Sequence, residues 1–312
     1  MLPRSCNTGK ISDAARDFLQ SLPPFAERPL PPLDGSRAAW RAFQDMIEER
    51  TLPACEAART AYDATIREFA AGGLRALFIT PAGANRDAQP ALYLHGGGYT
   101  TYSARSSLSA SIAVAAALER PLVSIDYPLA PASTCHETVS ETAAALAALL
   151  KLYPGACLIG ESAGGGLALS GVNRLRMRGV APHRLVLISP WTDLGENGES
   201  RRTMAALDPI LQYEPGLRAS AQAYAPGAMN DPDASPIFAD YDKAFPPSLI
   251  LCGSQEILLS DSVRLHEKLN AAGAETDLKI SEGMFHSYPI LAPDLPESRL
   301  ALRLVRSFVN RQ

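Results

Sequence analysis

Ser162 stands in the run Leu158-Ile159-Gly160-Glu161-Ser162-Ala163-Gly164-Gly165-Gly166, a short apolar stretch that ends in G-x-S-x-G and passes straight into a helical pattern. That pattern predicts a serine on a sharp strand-to-helix turn, its hydroxyl raised above a sheet and the next backbone N–H facing the same space. With glycine near 7% of residues, a chain of this length would show roughly 0.1 accidental matches to the motif. The flanks favour chemistry over accident. Ala156 to Ile159 reads as a buried parallel strand, and Gly165 to Leu169 as a helix start packed closely on it.

A serine hydroxyl becomes a nucleophile when a base takes its proton, and the chain offers five histidines. Catalytic groups of a parallel sheet collect beyond the carboxyl ends of its strands, and around a serine of this kind the partners follow in chain order serine, acid, histidine. His95 and His136 precede Ser162. His183 lies just before a strand, at the wrong end of the sheet, and His266 falls inside a helix, where a solvated role suffices. His286, in Glu282-Gly283-Met284-Phe285-His286 after the strand Thr276 to Ile280, is the expected base. Its need to be neutral predicts a rate that rises with an apparent pKa of ~6 to 7.

The acid should come from the loop after the preceding strand, Gly253 to Asp261, where two carboxylates compete. Asp261 sits where a helix begins, and capping of free N–H groups accounts for it. Glu256 is nearer the strand end and is favoured as the group that orients the imidazole. Donors for a developing oxyanion are expected from His95-Gly96-Gly97-Gly98, directly after the strand Ala91 to Leu94. Gly97 and Gly98 would supply backbone N–H groups and Ala163 a third.

These groups need a scaffold. Residues 1 to about 60 carry helical segments from Ser12 to Ser21 and from Ser36 to Arg50, separated by the proline-rich interval between Leu22 and Leu33. Tyr62 to Phe69 and Leu74 to Thr80, joined through Gly72-Gly73, predict an antiparallel hairpin at a sheet edge. Strands and helices alternate afterwards. Ala91 to Leu94 is followed by a helix from Ser106 to Leu118, Leu122 to Ile125 by one from Glu137 to Lys151, and the serine strand by one from Leu167 to Arg178. Leu185 to Ile188 comes next; Leu249 to Cys252 precedes a helix from Asp261 to Ala272, and Thr276 to Ile280 precedes the last, Glu297 to Val309. The pattern predicts an α/β fold with a mostly parallel central sheet flanked by helices.

Between Ser189 and Pro247 the alternation stops, over an interval too long for a structureless loop in a compact domain. The expected organisation is N-terminal cap helices over residues 1–60 and a catalytic domain over 61–312, with 195–245 contributing a second cap segment. Phe18, Phe25, Trp40, Phe43 and Met46 lie in the cap helices, so an apolar substrate pocket is expected.

Composition narrows the partners. The chain has 312 residues, 46% hydrophobic and 20% charged, with a formal net charge of −4. Nothing offers the basic stripe that a phosphate backbone requires, so nucleic acid is not an expected partner. No apolar run reaches the ~18 residues of a membrane span, and Met1 to Cys6 lacks the apolar core of a signal peptide, so a cytoplasmic location is expected. The five cysteines, Cys6, Cys55, Cys135, Cys157 and Cys252, are scattered, without a C-x-x-C pair or zinc spacing. Free thiols are expected, with Cys157 and Cys252 as small core residues of apolar strands.

The motifs together resemble the hormone-sensitive-lipase-like branch of the α/β-hydrolase fold, also called bacterial esterase family IV. The matching residues are His95-Gly96-Gly97-Gly98-Tyr99, Asp126-Tyr127-Pro128-Leu129-Ala130-Pro131, Gly160 to Gly165, Ser189-Pro190-Trp191-Thr192-Asp193-Leu194 and Gly283-Met284-Phe285-His286. The likeness spans Tyr62 to the C-terminus. It implies a carboxylesterase with a helical cap, a small-molecule ester as substrate, no metal or organic cofactor, and it suggests a homodimer. Members usually carry Arg and Glu where this chain has Pro128 and Ala132, and many carry Asp where Glu256 stands. The resemblance makes Asp193 a loop-fixing residue. Glu161 is expected to bond neighbouring backbone, and Tyr99 and Trp191 to line the pocket, with core packing as the competing role.

The expected reaction is hydrolysis of short-chain or cyclic carboxylic esters through an acyl-enzyme. The run Gly253 to Ser262 is similar to that of monoterpene lactone hydrolases, which keeps a lactonase open; an amide deacetylase could use the same triad. A ligand-binding receptor on this fold is the non-enzyme alternative, and such receptors usually lose a triad member.

Overall fold

A computed structural model of the protein describes residues 11–33, 35–195 and 197–311. Cys6 and the expected absence of a leader in residues 1–10 fall outside them. Helix α1 (Asp13–Ser21) begins where the Ser12 hydroxyl accepts the Ala15 N–H at 3.1 Å. Helix α2 (Arg37–Ala61) is longer than its sequence pattern predicts and runs on through Pro53. Proline deletes one backbone hydrogen bond. Cys55, one turn beyond Arg50, is buried with its Sγ 3.2 Å from the Ser106 carbonyl, and this packing carries the helix past the weak point.

Strands β1 (Thr65–Ala71) and β2 (Leu74–Thr80) form the expected antiparallel hairpin. Gly72 and Gly73 both have positive φ, +57° and +94°, as a two-residue hairpin turn requires. The first strand starts later than expected because Tyr62 and Ala64 still donate to α2 carbonyls, closing the helix. Then follow β3 (Ala91–Leu94), α3 (Leu108–Leu118), β4 (Leu122–Ile125), α4 (Cys135–Leu152), β5 (Leu158–Glu161), α5 (Ala163–Arg176) and β6 (Leu185–Ile188). After them come α6 (Ser200–Thr203), α7 (Arg218–Tyr224), β7 (Ser248–Gly253), α8 (Leu259–Ala271), β8 (Thr276–Ser281), α9 (Tyr288–Leu291) and α10 (Pro296–Val309).

Among the described residues, eight strands form one sheet in the order β1-β2-β4-β3-β5-β6-β7-β8, antiparallel only where β2 meets its two neighbours. Period-2 alternation sends side chains to two cores. Leu92, Leu94, Leu158 and Leu187 join α4, α5 and α8 on one face, while Ala91, Tyr93, Ile159, Val186 and Ile188 join α1, α3 and α10 on the other. Because both faces are covered, the central strands are short, buried throughout and mostly apolar rather than alternating. From β3 the chain crosses to β4 on one side and then to β5 on the other, which opens a crevice beyond their carboxyl ends. Leu94 pairs with Gly160, Glu161 with Ile188, Ile188 with Leu251, and Gly253 with Ser281, so the loops after these strands emerge along one edge. Among the described residues, no helix is long and apolar enough to cross a membrane.

Candidate active site

At the end of β5 the backbone turns so sharply that Ser162 adopts φ +54° and ψ −120°, a conformation that non-glycine residues rarely hold. Ser162 N–H donates to the Ile188 carbonyl at 2.9 Å, and the Ser162 carbonyl accepts from Gly165 at 3.0 Å and Trp191 at 2.9 Å. These bonds hold the strained turn. Glycine is obligatory beside it, since a Cβ at Gly164 would strike the Leu94 and His95 carbonyls.

His286 Nε2 lies 3.0 Å from Ser162 Oγ, with both residues buried. Nε2 also lies 3.2 Å from Ser287 Oγ; acting as base toward Ser162 requires the tautomer with its ring proton on Nδ1. Glu256 Oε2 lies 4.0 Å from Nδ1, longer than a hydrogen bond, and Nδ1 and Oε1 both lack a partner among the described residues. Nδ1 and Oε1 belong to a buried donor–acceptor pair whose needs are complementary, and unliganded catalytic contacts often tighten only on binding.

A serine relay links the two. Ser189 Oγ donates to Glu256 Oε2 at 2.8 Å and accepts the Ser287 N–H at 3.0 Å, while the Gly253 N–H reaches the same carboxylate at 3.1 Å. Ser189 and Ser287 were not singled out by sequence reasoning; the only signal was the place of Ser189 in the S-P-W-T-D run. Burial lowers His286 from 6.5 to about 3. It also pushes the Glu256 carboxyl well up, against the opposing bonds from Ser189 and Gly253. Both shifts have one cause: a dry site disfavours an isolated charge. The resting imidazole is neutral and can accept a proton.

Gly97 and Gly98 hold φ of +103° and +61° in the loop after β3. Their N–H groups donate to no backbone carbonyl among the described residues, and Ala163 is the first residue of α5, whose N–H has no intrahelical partner. Four neighbours fix this loop. Glu161 Oε2 accepts the Gly96 N–H at 2.8 Å, and the Tyr127 hydroxyl donates to the His95 carbonyl at 2.7 Å. Thr101 Oγ1 donates to the Gly97 carbonyl at 2.9 Å, and the Gln44 amide of α2 donates to the Thr100 and Ala130 carbonyls at 2.8 and 3.1 Å. The Glu161 bond meets the expectation for that residue. Gln44 had no sequence signal at all. His95 itself is a packed side chain, stacked on Tyr127 at 4.3 Å and lowered by burial to about 4.

Several expectations are corrected. Tyr99 and Trp191 do not border the cavity beside Ser162: both are buried in the core, Tyr99 stacked 3.9 Å from Tyr224 and tilted 5.7 Å from Trp191. Large flat rings behind the sheet edge found one another instead of the pocket. Asp261 does not cap its own helix; its carboxylate accepts the Thr192 and Asp193 N–H groups at 3.0 and 2.9 Å and sits beside Arg201. Those bonds commit it to the loop after β6. His136 pairs with Asp233 at 2.9 Å, and His183 is exposed. His266 is half-buried against Thr276 rather than solvated.

A cavity of about 250 Å³ opens onto Ser162 and His286. Gly97, Gly98 and Thr101 form its floor, Phe25, Pro29 and Phe43 of the N-terminal segment one wall, and Ile210, Leu211 and Leu217 another. Helix α1 and the residue before it also bear on the histidine loop and α10, since Phe18 stacks on Phe285 at 5.1 Å and Ser12 donates to Glu297. The interval after β6 reaches the acid loop: Ser200 Oγ donates to the Ile257 carbonyl at 2.7 Å and accepts the Ser260 N–H at 2.9 Å. Arg264 pairs with the buried Asp193 at 2.7 Å, and Asp193 accepts the Gly195 N–H at 2.9 Å.

Comparison with known proteins adds three findings to this geometry. Residues 91–290 match the family model of the α/β-hydrolase fold. An acetyl-hydrolase of Streptomyces hygroscopicus is 34% identical over 77% of this chain and 80% of its own. Two solved structures are similar throughout: an esterase named E25, with TM-score 0.88 and 25% identity over 99% of this chain and 97% of that one, and an esterase from the bacterial hormone-sensitive lipase family, with TM-score 0.78 and 33% identity over 92% and 94%.

Proposed function

Since the chain belongs to the hormone-sensitive-lipase-like esterases of the α/β-hydrolase fold and is a carboxylic ester hydrolase, we propose that it acts through an acyl-enzyme on Ser162, with short-chain esters as its substrates. The observation that carries this reading is the 3.0 Å contact between His286 Nε2 and Ser162 Oγ, in a cavity whose floor presents Gly97 and Gly98. Ser162 Oγ attacks the carbonyl carbon as Nε2 takes its proton. The oxyanion forms against the N–H groups of Gly97, Gly98 and Ala163, donors already in place before charge develops. His286 then returns the proton to the leaving alcohol, the ester bond breaks, and water deacylates the serine by the same steps in reverse. Glu256 orients the imidazole and stabilises its charged form, closing the 4.0 Å gap as substrate displaces water.

The cavity supports a short acyl group: about 250 Å³ lies below the ~300–1,000 Å³ typical of drug-sized sites. In this reading residues 1–60 and 195–245 are the cap, excluding water and shaping the substrate cavity. A panel of p-nitrophenyl esters of rising acyl length, with lactones and N-acetyl amides beside them, tests the reading. The expected result is highest kcat/KM at two to four acyl carbons, in the range of about one small apolar pocket, and loss of turnover in Ser162→Ala. Preference for lactones or amides would replace the short-ester assignment, and full turnover in Ser162→Ala would remove the acyl-enzyme.

A further inference from the structure

Asp208 lies outside every catalytic motif and is buried, 3% exposed, in the interval between α6 and α7. A carboxylate withdrawn from water needs compensation, and here three backbone N–H groups from two different loops supply it. Oδ1 accepts from Ile210 at 2.8 Å and Leu211 at 2.9 Å, both of which line the cavity over Ser162. Oδ2 accepts from Ile257 at 2.8 Å, the residue directly after Glu256. One carboxylate therefore ties the substrate wall to the loop that carries the acid.

The N-terminal segment reaches the same point. Arg28 Nη1 donates to the Ile210 carbonyl at 3.2 Å, its Nε to the Pro23 carbonyl at 2.9 Å, and its charge is attracted to that of Asp208. Glu256 needs such support because its own fastenings do not fix its distance from the imidazole. Ser189 and Gly253 hold Oε2, while Oε1 has no partner among the described residues.

Resting on the triad reading above, we propose that Asp208 is a positioning residue for the ester hydrolysis: it holds the Glu256-Ile257 backbone against the cavity wall, so that seating an ester between Ile210 and the serine also presses the acid toward His286. Burial pushes Asp208 to about 6 against the pull of its three N–H bonds and Arg28, so near neutral pH it carries the charge that these donors match.

The test is a double-mutant cycle between Asp208 and Glu256, with Ser162→Ala as control. Asp208→Asn keeps one acceptor oxygen for donors arriving from two sides, so it can hold the wall or the acid loop but not both. The expected result is a fall in kcat of about 10- to 100-fold, the scale of an ångström-sized misplacement, with KM changed by less than about threefold. In a Glu256→Ala background the same substitution should cost less than about twofold, because the group it positions is already gone. Asp208→Ser, whose hydroxyl still serves the Ile210 N–H but cannot span to Ile257, should behave alike and covers the case in which the asparagine variant fails to fold.

Equal losses in both backgrounds, or wild-type kcat in a folded Asp208 variant, would overturn the positioning role. If Ser162→Ala or Glu256→Ala itself turned over at the wild-type rate, the triad reading would fall first and this role with it. Crippled Ser162 and Glu256 variants beside an unaffected Asp208 variant would remove the positioning role alone.

Discussion

Ser162 holds a positive φ because bonds to Ile188, Gly165 and Trp191 enforce it, so the nucleophile is set by backbone and the base by side-chain placement. Ser162→Ala and His286→Ala should each lower kcat by about 10³-fold or more with the fold intact, and the double variant should be little worse than either, because the two act as one unit. Steady-state kinetics with a melting curve for each variant decides this. The pH profile tests the dry site. Activity needs neutral His286, and burial lowers its pKa from 6.5 to about 3, so the neutral form persists further into acid than for a free imidazole. The acid limb of kcat/KM should therefore lie below the ~6.5 of the free side chain, and below the ~6 to 7 that the residue type alone predicts. A limb above that value that vanishes in Glu256→Gln would assign it to the raised carboxyl instead.

At the scale of elements, the site is built where loops from β3, β5, β6, β7 and β8 meet at one sheet edge, and helices hold those loops from outside. Helix α2 does so through one amide, Gln44, which bridges the Thr100 and Ala130 carbonyls. Replacing it with alanine leaves two carbonyls unpaired and lets the Gly97-Gly98 loop relax. Gln44→Ala should lower kcat about tenfold with KM little changed, since donors aimed at the transition state lose more than ground-state binding does. A selective rise in KM would show that α2 acts only on substrate binding.

For the whole molecule, the N-terminal segment is packed into the enzyme rather than laid loosely over it. Phe18 stacks on Phe285, next to the base, and Phe25 and Pro29 wall the cavity. Removing residues 1–34 exposes the faces that these groups cover, so the shortened protein should aggregate readily and lose most of its kcat/KM. Labelling of Ser162 by a fluorophosphonate should also slow, because the histidine loop loses its support. A monodisperse truncation with unchanged rate and ester preference would end the cap reading.

The serine elbow, the glycine loop, the histidine loop and the alternation of strands with helices were legible in the sequence because each is a local pattern. The sharp turn at Ser162 demands glycine at position 164, where a Cβ would strike backbone carbonyls, and a doubly covered strand favours an apolar run. Only the tertiary structure decided what depends on meetings between distant segments. Tyr99 and Trp191 went to the core because neighbouring rings, Tyr224 among them, were there to receive them. Asp261 turned to the Thr192 and Asp193 N–H groups instead of its own helix, and α2 ran on past Arg50 because Cys55 found a buried contact. Ser189, Gln44 and Asp208 gained their places from hydrogen bonds that span 67, 56 and 49 positions of sequence separation. No local pattern encodes such bonds: a polar side chain reads the same whether water or a distant loop satisfies it, and only the packed chain determines which does.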